Sequence, residues 1–155
     1  MPNAEKTHFK QRLKQLGEAI IQKRIAAAKT AIENAQQAAN SEEKSSVGDK
    51  YETARAMSHL DKEMHTRQLA EHLNDLAILH SVNVDTIHKT ITTGSFVRCE
   101  TVSFFVALGL GKQVIDGSTV LFVSPKAPVA KILHDKSTGD EILINGTPMI
   151  IQEVY

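Results

Sequence analysis

The sequence has little of several features that mark specialised protein classes. Its single cysteine, Cys99, cannot form a disulfide within the chain, and a reducing compartment is expected. Lysine and arginine balance aspartate and glutamate, 18 against 18, so there is no overall positive field to attract DNA or an anionic membrane. The longest apolar run, residues 104–108, is far too short to span a bilayer, and residues 1–6 are polar. These absences predict a cytoplasmic protein with no membrane partner, whose contacts with nucleic acid are local or made through another protein.

The first half of the chain has helical periodicity. Residues 1–80 contain no proline after Pro2 and place apolar side chains three and four residues apart, except in a polar stretch near residues 41–48. We expect two antiparallel helices of about 30 to 38 residues, which form a coiled-coil hairpin roughly 45–55 Å long. The predicted seam includes Ile21, Ile25, Ala28, Ile32, Ala35 and Ala39 on the first helix, and Ala54, Met57, Leu60, Met64, Leu69, Leu73 and Leu76 on the second.

The second half has the period of two that is typical of strands. Short β-branched or aromatic runs occur at residues 95–98, 101–108, 118–123, 141–144 and 149–154. Asn145-Gly146 indicates a hairpin turn, Gly109–Lys112 is also interpreted as a hairpin turn, and Ala127-Pro128 predicts the start of a short helix. The sequence therefore predicts an α+β protein, with a helical hairpin over residues 1–80 and a small antiparallel sheet domain over residues 81–155.

An acidic pair occurs at the predicted start of the second helix. Asp49 and Glu52 are three residues apart, which on a helix places their Cβ atoms about 5–6 Å from each other. Two such carboxylates can share one divalent cation if other groups supply the remaining ligands. The same spacing is that of a capping box, which spacing alone favours. The two roles are compatible, and both stay open at this point.

The histidines and the cysteine give weaker signals. His59, His65 and His72 are six and seven residues apart, too far to bind one ion, so a solvated helix face is predicted for them. Cys99 lies in a strand-like run without an arrangement of histidine and acid around it, so a buried small residue is expected.

Two segments resemble a known family. Residues 48–54, GDKYETA, resemble the tip signature of the Gre transcript-cleavage factors, G-D-x-x-E-N-A. Residues 124–133 and 136–141, SPKAPVAKIL and KSTGDE, resemble that family's S-P-[IL]-A-x-x-L-x-G-K-x-x-G-D, and residues 146–155 resemble its last hairpin. The matches follow the family's order over nearly the whole chain. The resemblance implies a coiled coil followed by an FKBP-like domain.

The resemblance also implies a transcription elongation factor that docks on RNA polymerase and inserts its coiled coil into the secondary channel. There Asp49 and Glu52 would be the catalytic and metal-binding residues, sharing a Mg²⁺ ion of the polymerase active site, and the polymerase would cleave backtracked RNA near its 3′ end. The isolated chain would be a monomer, not an enzyme, and would hold no cofactor. The polymerase-binding residues in the second motif would be Ser124, Pro125, Pro128 and Lys131. The candidates for contacts with RNA phosphates are Lys44, Lys50 and Arg55, although solvated helix charges are the simpler explanation for them.

The chain departs from the family pattern at several positions. Thr53 stands where the family prefers Asn, Arg55-Ala56 where it has Glu-Tyr, and His134-Asp135 where it has an apolar residue and glycine. These differences keep open a non-cleaving regulator that occupies the same channel. Two further alternatives are an enzyme with its own site in the C-terminal domain, such as a prolyl isomerase, and a plain coiled-coil dimeriser.

Overall fold

The computed structural model describes the main chain of residues 1–42 and 48–155, and the side chains of residues 1–41 and 52–155. Within these ranges the helices are α1 (Asn3–Glu42), α2 (Gly48–Ser81) and α3 (Pro128–Leu133). The strands are β1 (Phe96–Cys99), β2 (Ser103–Val106), β3 (Gly111–Ile115), β4 (Ser118–Val123), β5 (Glu141–Ile144) and β6 (Thr147–Val154). Two long helices followed by a sheet with one short helix confirm the predicted α+β class.

The chain forms two compact units. Residues 19–77 make a helical unit, and residues 1–18 together with residues 78–155 make an α+β unit. Helix α1 therefore contributes its first part to the α+β unit and its remainder to the helical unit. In the part of the chain that the structure describes, no helix is both long enough and apolar enough to cross a bilayer.

The helical unit is held by a seam of buried apolar side chains on α1, which are isoleucines at first and alanines from Ala28 onward. Ile21, Ile25, Ala28, Ala35 and Ala39 are each less than one-tenth exposed, at steps of three, four and seven residues. This confirms the predicted α1 stripe. Lys62 of α2 donates a hydrogen bond of 2.7 Å to the side-chain oxygen of Gln36 on α1, so the two helices are in direct contact.

The predicted seam on α2 is largely wrong. Met57 and Leu60 are more than half exposed, and Met64 and Leu73 are 41% and 48% exposed. The half-buried positions of this helix include Ala54, Ser58, Lys62, His65, Leu69, His72 and Leu76. At about 100° per residue these positions form a different face from that of the methionines. The helix carries apolar residues on more than one face, and the alanines of α1 leave room for polar side chains such as Lys62 to lay their stems along the seam.

The histidines of α2 also differ from expectation. His59 is exposed as predicted, but His65 and His72 are half-buried on the seam face, so a solvated face is wrong for these two. Nδ1 of His65 lies 3.2 Å from the side-chain oxygen of Gln68, one turn further along the helix. The periodicity of the polar residues alone did not reveal that imidazoles occupy the seam.

The sheet has six strands in the order β3-β4-β2-β1-β6-β5. All neighbouring strands are antiparallel except β2 and β4, which run parallel from Ser103↔Val120 to Val106↔Val123. The chain moves from β2 to the sheet edge, forms β3, and returns as β4 between them. The predicted hairpin at Gly109–Lys112 is therefore wrong, because β2 and β3 are not neighbours.

Two hairpin turns of the sheet have the backbone that such turns require. Asn145 and Gly146 have φ of 51° and 78°, which confirms the predicted hairpin between β5 and β6. Asp116 and Gly117, with φ of 51° and 76°, make the same kind of turn between β3 and β4. Strand β3 was missing from the sequence prediction, and Asp-Gly was the signal that could have revealed it.

Side chains from the two faces of the sheet enter separate packed layers. On one face Val97, Phe104 and Ile151 pack in a core with Ala130 and Leu133 of α3. On the other, the ring of Phe96 meets Phe9 of α1 edge to face, with 5.1 Å between the centroids. Cys99 is 3% exposed in the α3 layer, as expected for a buried small residue.

Lysines of α1 bind main-chain carbonyls in the last turn of α2 and in the segment that follows it. Lys10 is fully buried and donates hydrogen bonds to the carbonyl oxygens of Thr86 at 2.7 Å and Gly94 at 3.0 Å. Lys14 donates to the carbonyl oxygens of His80 at 3.0 Å and Val82 at 2.9 Å. His80 lies in the last turn of α2, and Thr86, Val82 and Gly94 lie outside the helices and named strands, so these bonds satisfy carbonyls that have no partner within a helix or strand.

Candidate functional site

The predicted acidic pair belongs to the first turns of α2. The helix starts at Gly48, so Asp49 and Glu52 are three residues apart in helical backbone and share one side of it. Glu52 is exposed. The side chains of Asp49 and Lys50 lie outside the described side chains, and Lys44 lies outside the described residues.

Arg55 follows the acidic pair by one turn. It is exposed, and its Nε donates a hydrogen bond of 3.4 Å to Nε2 of His59, four residues further along α2. A cation thus lies three residues from Glu52 on the same helix, a spacing at which side chains are neighbours. Arg55 is accordingly positioned to influence any anion that approaches the acidic pair.

The described side chains contain no group of three His, Cys, Asp or Glu residues that could hold a metal ion. Asp49 is not among those side chains. Glu52 is therefore the member of the acidic pair whose surroundings are known, and it lies on the solvent-exposed side of a helix.

The second predicted site starts at the turn between β4 and α3. The backbone N–H of Ala127 donates to the carbonyl oxygen of Ser124 at 3.0 Å, and that of Lys126 to its side-chain oxygen at 3.2 Å. These bonds close a turn that carries Pro125 at its exposed side. Pro128 is the first residue of α3, where its missing N–H leaves no hydrogen bond unmade.

A cleft lies beside this turn. Its volume is about 310 Å³, and we call it the α3 cleft; it is lined by Ile91, Thr92, Thr93, Val106, Pro125, Ala130, Lys131 and His134. Of the four predicted partner-binding residues, the structure brings Pro125 and Lys131 together in this cleft. Ser124 instead closes the turn, and Pro128 is exposed outside the cleft lining.

The remaining residues of the α3 cleft were not found from the sequence. Ile91 and Thr92 precede the first strand, and Val106 ends β2, some 20 to 40 residues before α3. The backbone N–H of Ile91 donates to the carbonyl oxygen of Lys136, and that of Asp135 to the carbonyl oxygen of Ile91, which joins Ile91 to the residues that follow α3. The tertiary fold brings these residues together, and no local sequence pattern predicts that they are close.

A larger cavity of about 700 Å³ lies between the start of α1 and the sheet, within the α+β unit. Glu153 accepts a hydrogen bond of 2.8 Å from Arg98 and lies 3.4 Å from the ammonium of Lys6. Burial alone would raise the pKa of Glu153, but Arg98 and Lys6 together hold it below its usual range. The ring of Tyr155 lies under Lys6, and burial, with a smaller effect of Glu153, raises its pKa to about 12.

The charged groups of this cavity satisfy one another. Glu153 on β6 joins Arg98 on β1 to Lys6 on α1, and Tyr155 is 3% exposed. A carboxylate that is held ionised by two cations is a poor general acid, and a tyrosine with a raised pKa is a poor general base. We therefore assign these residues a structural role, joining α1 to the sheet.

The comparisons with known proteins assign no family to the chain. No family model, no curated protein and no solved structure matches it. The Gre-like resemblance is carried by the motifs of this sequence alone.

Proposed function

We propose that this chain is a transcription elongation factor that binds RNA polymerase and stimulates the polymerase to cleave backtracked RNA. In this proposal the helical unit enters the secondary channel, and Asp49 and Glu52 reach the polymerase active site. The α+β unit docks outside the channel through the α3 cleft. The chain acts in the cytoplasm and has no catalytic activity by itself.

The observation that carries the proposal is the place of the acidic pair in the fold. Asp49 and Glu52 fall in the first turns of α2, directly after the segment that connects the two long helices, and Glu52 is exposed. A helix start within a folded domain needs a cap, and a cap between two long helices can also serve a partner. The hairpin and the α+β unit are distinct compact units, as insertion by one and docking by the other would require.

The chemistry of phosphodiester cleavage suits two carboxylates that do not form a complete site. Hydrolysis assisted by two metal ions needs oxygen ligands that neutralise the ions and orient an attacking water. Asp49 and Glu52 would supply such oxygens to a Mg²⁺ held by the polymerase. Two side chains leave most of the coordination positions of a Mg²⁺ unfilled, so the pair would act only inside the partner.

A cleavage assay on stalled, backtracked elongation complexes tests the proposal. The wild-type chain should release a short 3′ RNA fragment, and the double variant Asp49→Asn/Glu52→Gln should lose this stimulation while still binding polymerase. Glu63→Gln is the matched control, because Glu63 is an exposed carboxylate on the same helix, away from its start. It should cleave like the wild type.

Two results would contradict cleavage stimulation. One is a double variant that releases RNA as fast as the wild type. The other is a wild-type chain that binds polymerase and alters elongation without releasing any fragment, which would instead support the non-cleaving channel regulator. The departures at Thr53, Arg55 and Ala56 make this the second candidate, since Arg55 places a positive charge one turn from Glu52.

A further inference from the structure

The α3 cleft has an apolar floor and a polar rim. Ile91, Val106 and Ala130 line the cleft and are 1%, 3% and 5% exposed, so we describe these almost fully buried apolar residues as its floor. Pro125 and Lys131 are exposed at the rim. A volume of about 310 Å³ is at the lower end for small-molecule sites and suits one or two inserted side chains.

The segment that forms the rim and α3, residues 124–136, carries more positive than negative charge. Lys131 lines it, Lys126 follows the rim residue Pro125, and the main chain of Lys136 binds that of Ile91 in the floor. All three lysines are exposed. Asp135 is the one acidic residue between positions 124 and 136, and its Oδ2 lies 3.4 Å from Nε2 of His134. In a chain with no net charge, this is a local basic surface that favours an acidic partner.

The floor of the cleft distinguishes a protein partner from a nucleic acid. Proteins that bind single-stranded nucleic acid stack bases on aromatic side chains. None of the described residues that line the cleft is Phe, Tyr or Trp. A floor of aliphatic side chains instead suits an apolar side chain, which gains free energy when it leaves water.

We propose that the α3 cleft binds an acidic segment of a protein partner, which inserts an apolar side chain against Ile91, Val106 and Ala130. The carboxylates of that segment lie beside Lys131 and the neighbouring lysines. The inserted side chain supplies most of the affinity, and the rim charges select the partner and speed its association. The inference rests on the proposed function in that the partner expected is RNA polymerase.

The binding chemistry can be tested on the full-length chain with a capped peptide, Asp-Asp-Leu-Glu-Glu, followed by methyl NMR. The peptide should shift the methyl signals of Ile91, Val106 and Ala130. It should bind at least about fivefold more tightly than a peptide with Lys in place of each acid, or than one with Ala in place of Leu. Raising the salt concentration should weaken it, because exposed charges are screened.

Variants locate the charge dependence. Lys131→Glu should lower the affinity for the acidic peptide at least about fivefold, since it puts a like charge beside the peptide carboxylates. Lys112→Glu is the matched control, because Lys112 is an exposed lysine of the same unit on β3. It should leave the affinity unchanged. The proposal is overturned if the basic peptide binds equally well, if no peptide shifts these methyls, or if a hexameric RNA shifts them more strongly.

A polymerase-binding measurement separates this inference from the proposed function. If the acidic peptide occupies the cleft but the wild-type chain does not bind polymerase, the proposed function fails and the cleft assignment stands. If the chain binds polymerase, while Lys131→Glu binds it equally well and the peptide does not bind, the cleft assignment fails and the proposed function stands.

Discussion

Replacing Lys10 with methionine should make the stability of this protein less dependent on pH. Lys10 is fully buried, and its ammonium donates to the carbonyl oxygens of Thr86 and Gly94. Burial lowers the pKa of Lys10 from 10.5 to about 8, although Asp85 opposes this effect. Methionine has a similar length and no charge, so it fills the site without titrating.

The size and sign of the effect follow from this pKa. At about 1.4 kcal/mol per pKa unit, this shift lowers the stability at pH 7 by about 3 kcal/mol relative to a lysine whose pKa does not change on folding. Because the folded pKa of Lys10 lies below the unfolded one, the unfolded chain binds more protons between about pH 8 and pH 10.5, and stability rises with pH there. Between pH 7 and pH 9.5 the wild type should gain about 2 kcal/mol relative to Lys10→Met.

Urea unfolding of both proteins at pH 7 and pH 9.5 measures this difference. The loss of two hydrogen bonds in Lys10→Met is the same at both pH values and cancels in the comparison. Burial, and then Lys10, lower the pKa of His88, so the comparison starts at pH 7 to avoid its titration. Lys29→Met, at an exposed lysine of α1, should stay near wild-type stability at both pH values. A gap between wild type and Lys10→Met that does not change with pH would refute the reasoning.

Three further substitution or labelling experiments test the fold. Gly94→Ala should cost at least about 2 kcal/mol more than Gly117→Ala, although both glycines have positive φ. A Cβ on Gly94 would overlap the carbonyl oxygen of Asn83, while one on Gly117 meets nothing within 4 Å. Equal losses in urea unfolding would mean that this contact relaxes freely. Burial also raises the pKa of the Cys99 thiol, so a maleimide should label it only as fast as the protein unfolds, and fast labelling of the native chain would contradict its burial. Leu79→Ala should cost about 2–5 kcal/mol and Leu60→Ala less than about 0.5, because Leu79 is fully buried and Leu60 is 57% exposed; similar losses would show that the buried face of α2 is misassigned.

The hydrophobic pattern predicted α1 better than α2 for a physical reason. On α1 the isoleucines of the helical unit follow one helical stripe, and the buried residues from Ile21 to Ala39 lie on that stripe. Helix α2 has apolar residues on two faces, and periodicity does not say which face meets α1. Packing against alanines selected the face with His65 and Leu69, and left Met57 and Leu60 in solvent.

The candidate sites contain some parts that a local sequence pattern predicts and others that only the tertiary fold brings together. Asp49 and Glu52, and the turn with Pro125 and Pro128, are short-range patterns that can be read directly from the chain. The floor of the α3 cleft combines Ile91 and Val106 with Ala130, and the fold alone brings these segments together. No sequence periodicity predicts that these distant residues are in contact. The apolar floor and basic rim of the α3 cleft are therefore visible only in the structure.

The division of α1 between two units has a consequence for how the chain folds during synthesis. Phe9 contacts Phe96, and Lys10 binds the carbonyl of Gly94. The first turns of α1 therefore cannot be buried until the ribosome has synthesised this later segment. At about 5–20 residues per second, that delay is roughly 4 to 17 s. Through this interval the helix can form locally, but Phe9, Lys10 and Leu13 have no partner to bury them. The α+β unit therefore closes late, around residues that were synthesised much earlier. A fragment that begins at residue 81 would keep Tyr155 against Phe96 but would lack Phe9, which packs on the same ring.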